Sequence, residues 1–184
     1  MRTLLAALSL FALSLPAFAA AVDDTAAVAL AKPAEIVVDG SLSSDEVAAL
    51  LEPVDAFYGF WNNGSQALLD QALAEGFTDH TLPPGRPQGP AGPAAASKAF
   101  LAAVPDLEVA VVQRLVVGDR VVSHLRFTGH FTGSFMGQSG SGQPIDFIAT
   151  DILRVRDGRI TDNWHLEDNL TFFKQIGLAP KPGN

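Results

Sequence analysis

The chain has 184 residues, 12 Lys and Arg against 20 Asp and Glu, four His and no Cys, with 48% apolar side chains and a formal net charge of −8. That length suits one ordinary domain plus a tail, and the apolar content excludes a wholly disordered chain. The acidic balance argues against nucleic acid as the main partner, because phosphates call for clustered Lys and Arg, and the lack of Cys removes disulfides, thiolate zinc sites, iron–sulfur clusters and a cysteine nucleophile. Chemistry must come from carboxylates, imidazoles and hydroxyls.

Met1-Arg2 begins the chain with a positive charge, Leu4 to Leu15 is an apolar run, Pro16 breaks it, and Ala17-Phe18-Ala19 gives the small-x-small pattern of a signal-peptidase site. About a dozen apolar residues are too few to span roughly 30 Å of hydrocarbon. The alternative is a buried N-terminal helix; the expectation is that residues 1–20 form a signal peptide and that the protein is exported, to the periplasm or beyond the cell. No later stretch reaches 18 uninterrupted apolar residues, so no membrane span is expected. The triplets Asn63-Gly64-Ser65 and Asn169-Leu170-Thr171 matter only in a host that glycosylates.

Residues 21–42 read as a linker with one short strand at Glu35–Val38. Ser43-x-x-Glu46 is a capping box ahead of Val47, Leu50 and Leu51. Pro53 predicts a stop or kink at Glu52, followed by a segment that puts Val54, Phe57, Tyr58 and Trp61 on one face. Ser65 caps a further helix that Gly76 ends. Phe77 to Gly92 reads as loop, given Pro83-Pro84-Gly85, Pro87, Gly89 and Pro90. Pro93 to Val104 is a short Ala-rich helix. From Leu107 the period becomes two: strands at Leu107–Val117 and Arg120–Thr132 around Gly118-Asp119, then a Gly/Ser-rich connection from Gly133 to Gly142. Strands at Gln143–Arg156 and Arg159–Asp168 follow around Asp157-Gly158, and a terminal helical turn at Asn169–Ile176. Helices first and antiparallel strands after make an α+β domain over residues 43–178, with a tail at 179–184.

Several chemistries fall away. His124 and His130 lie six residues apart on one strand, roughly 20 Å, too far to share a metal ion. No His-Glu-x-x-His, EF-hand or Walker motif occurs. Gly137-Gln138-Ser139-Gly140-Ser141 lacks the final Gly and the strand-to-helix setting of a nucleophile elbow. No metal or other cofactor is expected.

Other segments carry a resemblance: Phe77-Thr78-Asp79-His80-Thr81-Leu82-Pro83, Val104-Pro105-Asp106-Leu107, Gly118-Asp119-Arg120-Val121-Val122, Gly129-His130-Phe131-Thr132-Gly133, Asp151 to Ile160, Trp164-x-x-x-Asp168 and Gln175-Ile176-Gly177. In this order they resemble the SnoaL-like polyketide cyclase, or ester cyclase, family over residues 55 to 178. The resemblance implies a nuclear transport factor 2-like cone (a cystatin-like α+β barrel): a curved antiparallel sheet wrapped around two or three N-terminal helices. It also implies a homodimer, and a deep apolar pocket for a small hydrophobic molecule. A carboxylate there, raised toward the working pH by burial, would take a proton alpha to a carbonyl and return it elsewhere.

Carried onto this chain, the acid/base is Asp168, four residues after Trp164 and of the same strand parity. Asp168 equally reads as the cap of the terminal helix, which would lower its pKa. His80 is the second catalytic candidate, or a loop-structuring residue. Trp164, Arg154, Asp151, Tyr58, Trp61 and Phe131 are the substrate-binding candidates; Arg154 stands on the strand where characterised cyclases carry a His. Two hairpin registers stay open. A two-residue Asp157-Gly158 loop puts Phe147 opposite Asp168 and Asp151 opposite Trp164; a three-residue bulged loop puts Asp146 and Thr150 there. His124, Arg126 and His130 are expected on an outward or subunit-contact face, and His165 on the outer face. The functional expectation is a cofactor-independent cyclase or isomerase acting on a hydrophobic carbonyl compound. A non-catalytic periplasmic carrier of an apolar ligand and an epoxide hydrolase using Asp151, Arg154 and Asp168 are the alternatives.

Overall fold

The computed structural model describes residues 22–179. The expected signal peptide lies outside the described residues. The elements are α1 (Asp24–Leu30), β1 (Glu35–Val38), α2 (Ser44–Asn63), α3 (Gln66–Ala72), β2 (Leu73–Asp79), α4 (Ala91–Ala103), β3 (Glu108–Val117), β4 (Arg120–Phe131), β5 (Ser134–Phe135), β6 (Gln138–Ser139), β7 (Gln143–Arg156), β8 (Arg159–Glu167) and α5 (Asn169–Gln175). Six strands form one sheet in the order β1-β3-β4-β7-β8-β2; β5 and β6 make a small separate hairpin. Both edge strands run parallel to their neighbours, so the sheet is mixed, not antiparallel as expected. Among the described residues no helix is long and apolar enough to cross a membrane.

The capping box forms as read: Glu46 N–H donates to Ser43 Oγ at 3.3 Å, and Ser43 N–H donates to Glu46 Oε2 at 2.8 Å. Pro53 does not break α2, which runs on to Asn63. A proline removes one helical N–H, and here the turns after it are nearly all buried, from Val54 through Phe60; packing outweighs the lost bond.

That all-round burial exists because residues 24–30, read as linker, are helix α1, with Ala27 and Ala31 fully buried. A seven-residue helix of small side chains carries little periodicity and gains its stability from packing. Gly59 allows the contact, since a Cβ there would lie 2.7 Å from the Val28 side chain. Asn62 ties the layers together. Its Nδ2 donates to the carbonyls of Ala27 and Val109, each at 3.2 Å, and its Oδ1 accepts from Val109 N–H at 2.7 Å.

The segment after α3 also differs from the reading: β2 leaves directly at Leu73, with Leu73, Phe77 and Asp79 buried. β7 alternates cleanly, burying Ile145, Phe147, Ala149, Asp151, Leu153 and Val155. β8 does not. Its register starts as the two-residue loop predicts, with Arg156 opposite Arg159 and Val155 opposite Ile160. It then slips by one, so that Arg154 faces Asp162, Asp151 faces His165 and Ile152 faces Trp164. Thr161 is the extra residue of a bulge. Neither expected register holds beyond it, and the inward set changes from Ile160 to Asn163 and His165.

Candidate functional site

Helices and sheet enclose a cavity of about 230 Å³. Phe57 and Trp61 of α2, Phe100 of α4, Phe127 of β4 and Phe147 of β7 form its aromatic walls. The rings of Phe127 and Phe147 stack with centroids 4.9 Å apart, and Phe100 packs against Phe147 at 6.2 Å. Phe135 and Met136 from the β5–β6 hairpin and Pro83 and Arg86 from the loop after β2 complete the lining; Met136 is 75% exposed, which places it at the opening.

Into these walls β2, β7 and β8 project Asp79, Asp151, Asn163, His165 and Glu167. His165 is clamped between two carboxylates. Nε2 lies 3.0 Å from both oxygens of Asp79, and Nδ1 lies 2.7 Å from Glu167 Oε1. Two acceptors on two ring nitrogens require both to carry protons, so the ring is an imidazolium. Burial opposes that charge, but Glu167 and Asp79 outweigh it and push the pKa up to about 9. Burial likewise works against the Glu167 carboxylate, and the bond and charge of His165 hold it below its ordinary value. Thr81 fixes the approach of the two strands: its N–H donates to Asp79 Oδ1 at 2.9 Å, and its Oγ1 accepts from His165 N–H at 2.9 Å.

Asp151 is the carboxyl not bound to His165. Burial pushes it up to about 6, and the charge of His165 and the hydroxyl of Tyr58 limit the rise. Tyr58 Oη donates to Asp151 Oδ2 at 3.0 Å. Burial and the neighbouring Asp151 charge push the tyrosine well above its ordinary value, so it stays a donor. Behind it lies Arg114, fully buried by a β3 bulge, its Nη1 2.5 Å from Asp55 Oδ1 and its guanidinium 5.6 Å from the Tyr58 ring centroid. The set is one titrating carboxyl near neutrality, held at one oxygen beside a fixed cation, in an aromatic cavity. Among the described residues, no three His, Cys, Asp or Glu side chains are arranged to hold a metal ion.

The expected site residues divide. Asp151 and Trp61 line the cavity; Tyr58 and Phe131 are fully buried, Tyr58 bonded to Asp151 and Phe131 in the core. Trp164, His80 and Arg154 lie together on the opposite face of the sheet. The His80 and Trp164 rings stack 4.2 Å apart at 3°, His80 Nε2 is 2.7 Å from Asp162, and Arg154 sits 5.3 Å over Trp164. Asp168 is the N-cap of α5: Thr171 N–H donates to its Oδ1 at 3.0 Å and Thr171 Oγ1 to its Oδ2 at 2.6 Å, and these bonds lower its pKa. It does not line the cavity, so the geometry matches the capping alternative. His165, expected outside, is inside. Counting parity along an unbroken strand misplaces both residues, because the Thr161 bulge turns Trp164 out and His165 in. Asp79, Asn163, Glu167 and Arg86 line the cavity from outside the expected set. A usable signal for Asp79 is its shared parity with Phe77; for Glu167 it is the alternation Asn163, His165, Glu167.

A family model described as SnoaL-like polyketide cyclase matches residues 52–176. A candidate polyketide cyclase from Bacillus cereus ATCC 10987 is 43% identical, with a TM-score of 0.74 over 82% of this chain and 95% of that one. IdmH, a candidate polyketide cyclase from Streptomyces antibioticus, is 28% identical, with a TM-score of 0.61 over 68% and 96%. AclR, a candidate hydroxylase from Streptomyces galilaeus, is 22% identical with a TM-score of 0.62 over 75% and 88%, a likeness of fold alone. No curated protein matches the chain. The architecture is the expected nuclear transport factor 2-like cone.

Proposed function

The chain belongs to the SnoaL-like polyketide cyclase family, and from that premise we propose that it is a cofactor-independent cyclase or isomerase acting on a hydrophobic carbonyl compound, with Asp151 as acid and base. What supports this reading above all is the Asp151 carboxyl: buried in an aromatic cavity, held at one oxygen by Tyr58, with a pKa of about 6. A base works best when its pKa lies near the working pH. In the proposed step, Asp151 takes a proton from the carbon alpha to the carbonyl, and the electron pair of the broken C–H bond moves into the enolate. The charge of His165, paired on both sides by Asp79 and Glu167, favours the ionised form of Asp151 and so keeps part of that carboxyl available as a base. The enolate carbon either closes on a second carbonyl or is reprotonated elsewhere, and Asp151 gives its proton back.

Deuterium exchange at the alpha carbon of 2-acetonaphthone in D₂O, followed by NMR, tests this without knowledge of the native substrate. The wild type is expected to accelerate exchange, the rate rising with pH through about 6. Asp151→Asn is expected to bind the ketone and leave exchange at the background rate. Binding without acceleration by the wild type would favour the carrier reading, for which the mainly apolar walls are also suited. The hydrolase reading draws less support, since Arg154 and Asp168 stand apart from Asp151.

The leader-like residues 1–20 support export, which mass spectrometry of the mature N-terminus checks. Ile148, Ile152 and Leu166, the last 78% exposed, support a homodimer through the outer sheet face, which light scattering checks.

A further inference from the structure

Beside the cavity, between α4, the loop after β2 and the β5–β6 hairpin, lies an open groove of about 570 Å³. Its floor is alanine, from Ala95, Ala99 and Ala102, and it shares Pro83, Phe100, Phe135 and Met136 with the cavity lining. Arg86 also belongs to both, and it is the one charged side chain among the groove's lining residues. In a chain of net charge −8 the absence of carboxylates from that lining is a feature in itself. The cavity wall, by contrast, carries Asp79, Asp151 and Glu167.

Arg86 is held in place by its backbone. Its N–H donates to Pro83 O at 3.1 Å. Two residues on, Gln88 brackets Asp79: Asp79 N–H donates to Gln88 Oε1 at 2.8 Å and Gln88 Nε2 donates to Asp79 O at 2.9 Å. Pro83, Pro84 and Pro87 restrict the loop further. Arg86 is half-buried, and its guanidinium forms no ion pair or hydrogen bond with a described residue, although its charge reaches Glu167. A planar fork of donors, without a partner among the described residues and carried on a restrained loop, matches a carboxylate.

We propose that Arg86 is the anion-binding residue of an outer subsite, and that the substrate is a carbonyl compound bearing a carboxylate: the reacting carbonyl enters the aromatic cavity and the acid group stops at Arg86 where cavity and groove meet. This rests on the cavity being the substrate site. Trp61 lines the cavity, so ligand entry is read by quenching of indole fluorescence. The probes are 3-(2-naphthoyl)propionate, an aryl ketone with a carboxylate two methylenes away, and its uncharged primary amide.

The wild type is expected to bind the acid about tenfold more tightly than the amide at low salt, as for one charge-assisted hydrogen-bonded pair, with the preference shrinking as salt rises. Arg86→Gln is expected to bring the two affinities within about twofold, the scale of a neutral surface change, while amide affinity holds. Arg86→Lys keeps the charge without the fork and is expected to keep part of the preference. Equal binding of both probes by the wild type, or a preference that survives Arg86→Gln, overturns the assignment of Arg86 and leaves the cavity reading intact. Failure of both probes to bind the wild type overturns the cavity as a ligand site, and the proposed function with it.

Discussion

Asp79 and His80 are neighbours in the chain, as are Trp164 and His165, yet each pair is split between the two faces of one sheet. On the inner face Asp79 grips His165, the imidazole is pushed up to about 9 and the adjacent Asp151 up to about 6. On the outer face His80 stacks on Trp164 and meets Asp162 at 2.7 Å, with Arg120 and Arg154 over the same indole at 5.5 and 5.3 Å. Both faces hold a histidine, a carboxylate and a cation. What separates them is water at the imidazole, 36% exposed in His80 and 5% in His165. Exposed ion pairs contribute little because solvent screens them, whereas removal from water makes each charge depend on its partner. Residue type alone did not mark the reactive face; burial did.

The sharpest way to break this contrast is Asp151→Asn. Loss of a general base is expected to lower proton transfer by about 10²–10⁴-fold. Stability should move the other way. A carboxyl whose folded pKa lies at about 6, above its unfolded value of 3.8, binds its proton more tightly when folded. It therefore costs nothing extra at low pH and destabilises as pH rises through that window, by about 3 kcal/mol once both states are ionised. Denaturant unfolding at pH 7.5 should find Asp151→Asn more stable than the wild type, and the difference should vanish near pH 4.

His165→Gln leaves Asp79 and Glu167 without their cation and is expected to cost about 3–5 kcal/mol, the range for a broken buried pair. Here the sign reverses. A folded pKa of about 9 against 6.5 gives stability that is fully present below 6.5 and is lost as pH rises to about 9. Urea midpoints of the wild type should fall across that interval, and those of His165→Gln should stay flat.

The smallest effects belong outside. His80→Ala removes one stacked pair and is expected to cost about 1 kcal/mol. Asp168→Ala removes a helix cap and should lower the thermal midpoint slightly. Proton transfer in both variants should stay within about twofold of the wild type, as for other surface changes. A collapse of activity in Asp168→Ala would return the acid–base role to that residue.

Local patterns were enough for much of this protein. Ser43 and Glu46 announce the start of α2, Gly118-Asp119 and Asp157-Gly158 announce the hairpins, and the alternation from Ile145 to Val155 places Asp151 among buried neighbours. These features depend on residues close in sequence, whose spacing fixes geometry directly. The α+β order followed from them, whereas the family rested on the resemblance that several segments carry together, Asp151 to Ile160 among them. Helix α1, strand β2, the passage of α2 through Pro53 and the inward turn of His165 were decided elsewhere, by partners far along the chain. Ala27 is buried only because α2 lies against it, and Asp79 meets His165 only because β2 pairs with β8 beyond a bulge. One inserted residue inverts every side chain after it, and nothing in the local spacing around Thr161 records that inversion. Its energy lies in the packing of the two faces, which exists only once the sheet has closed around the helices.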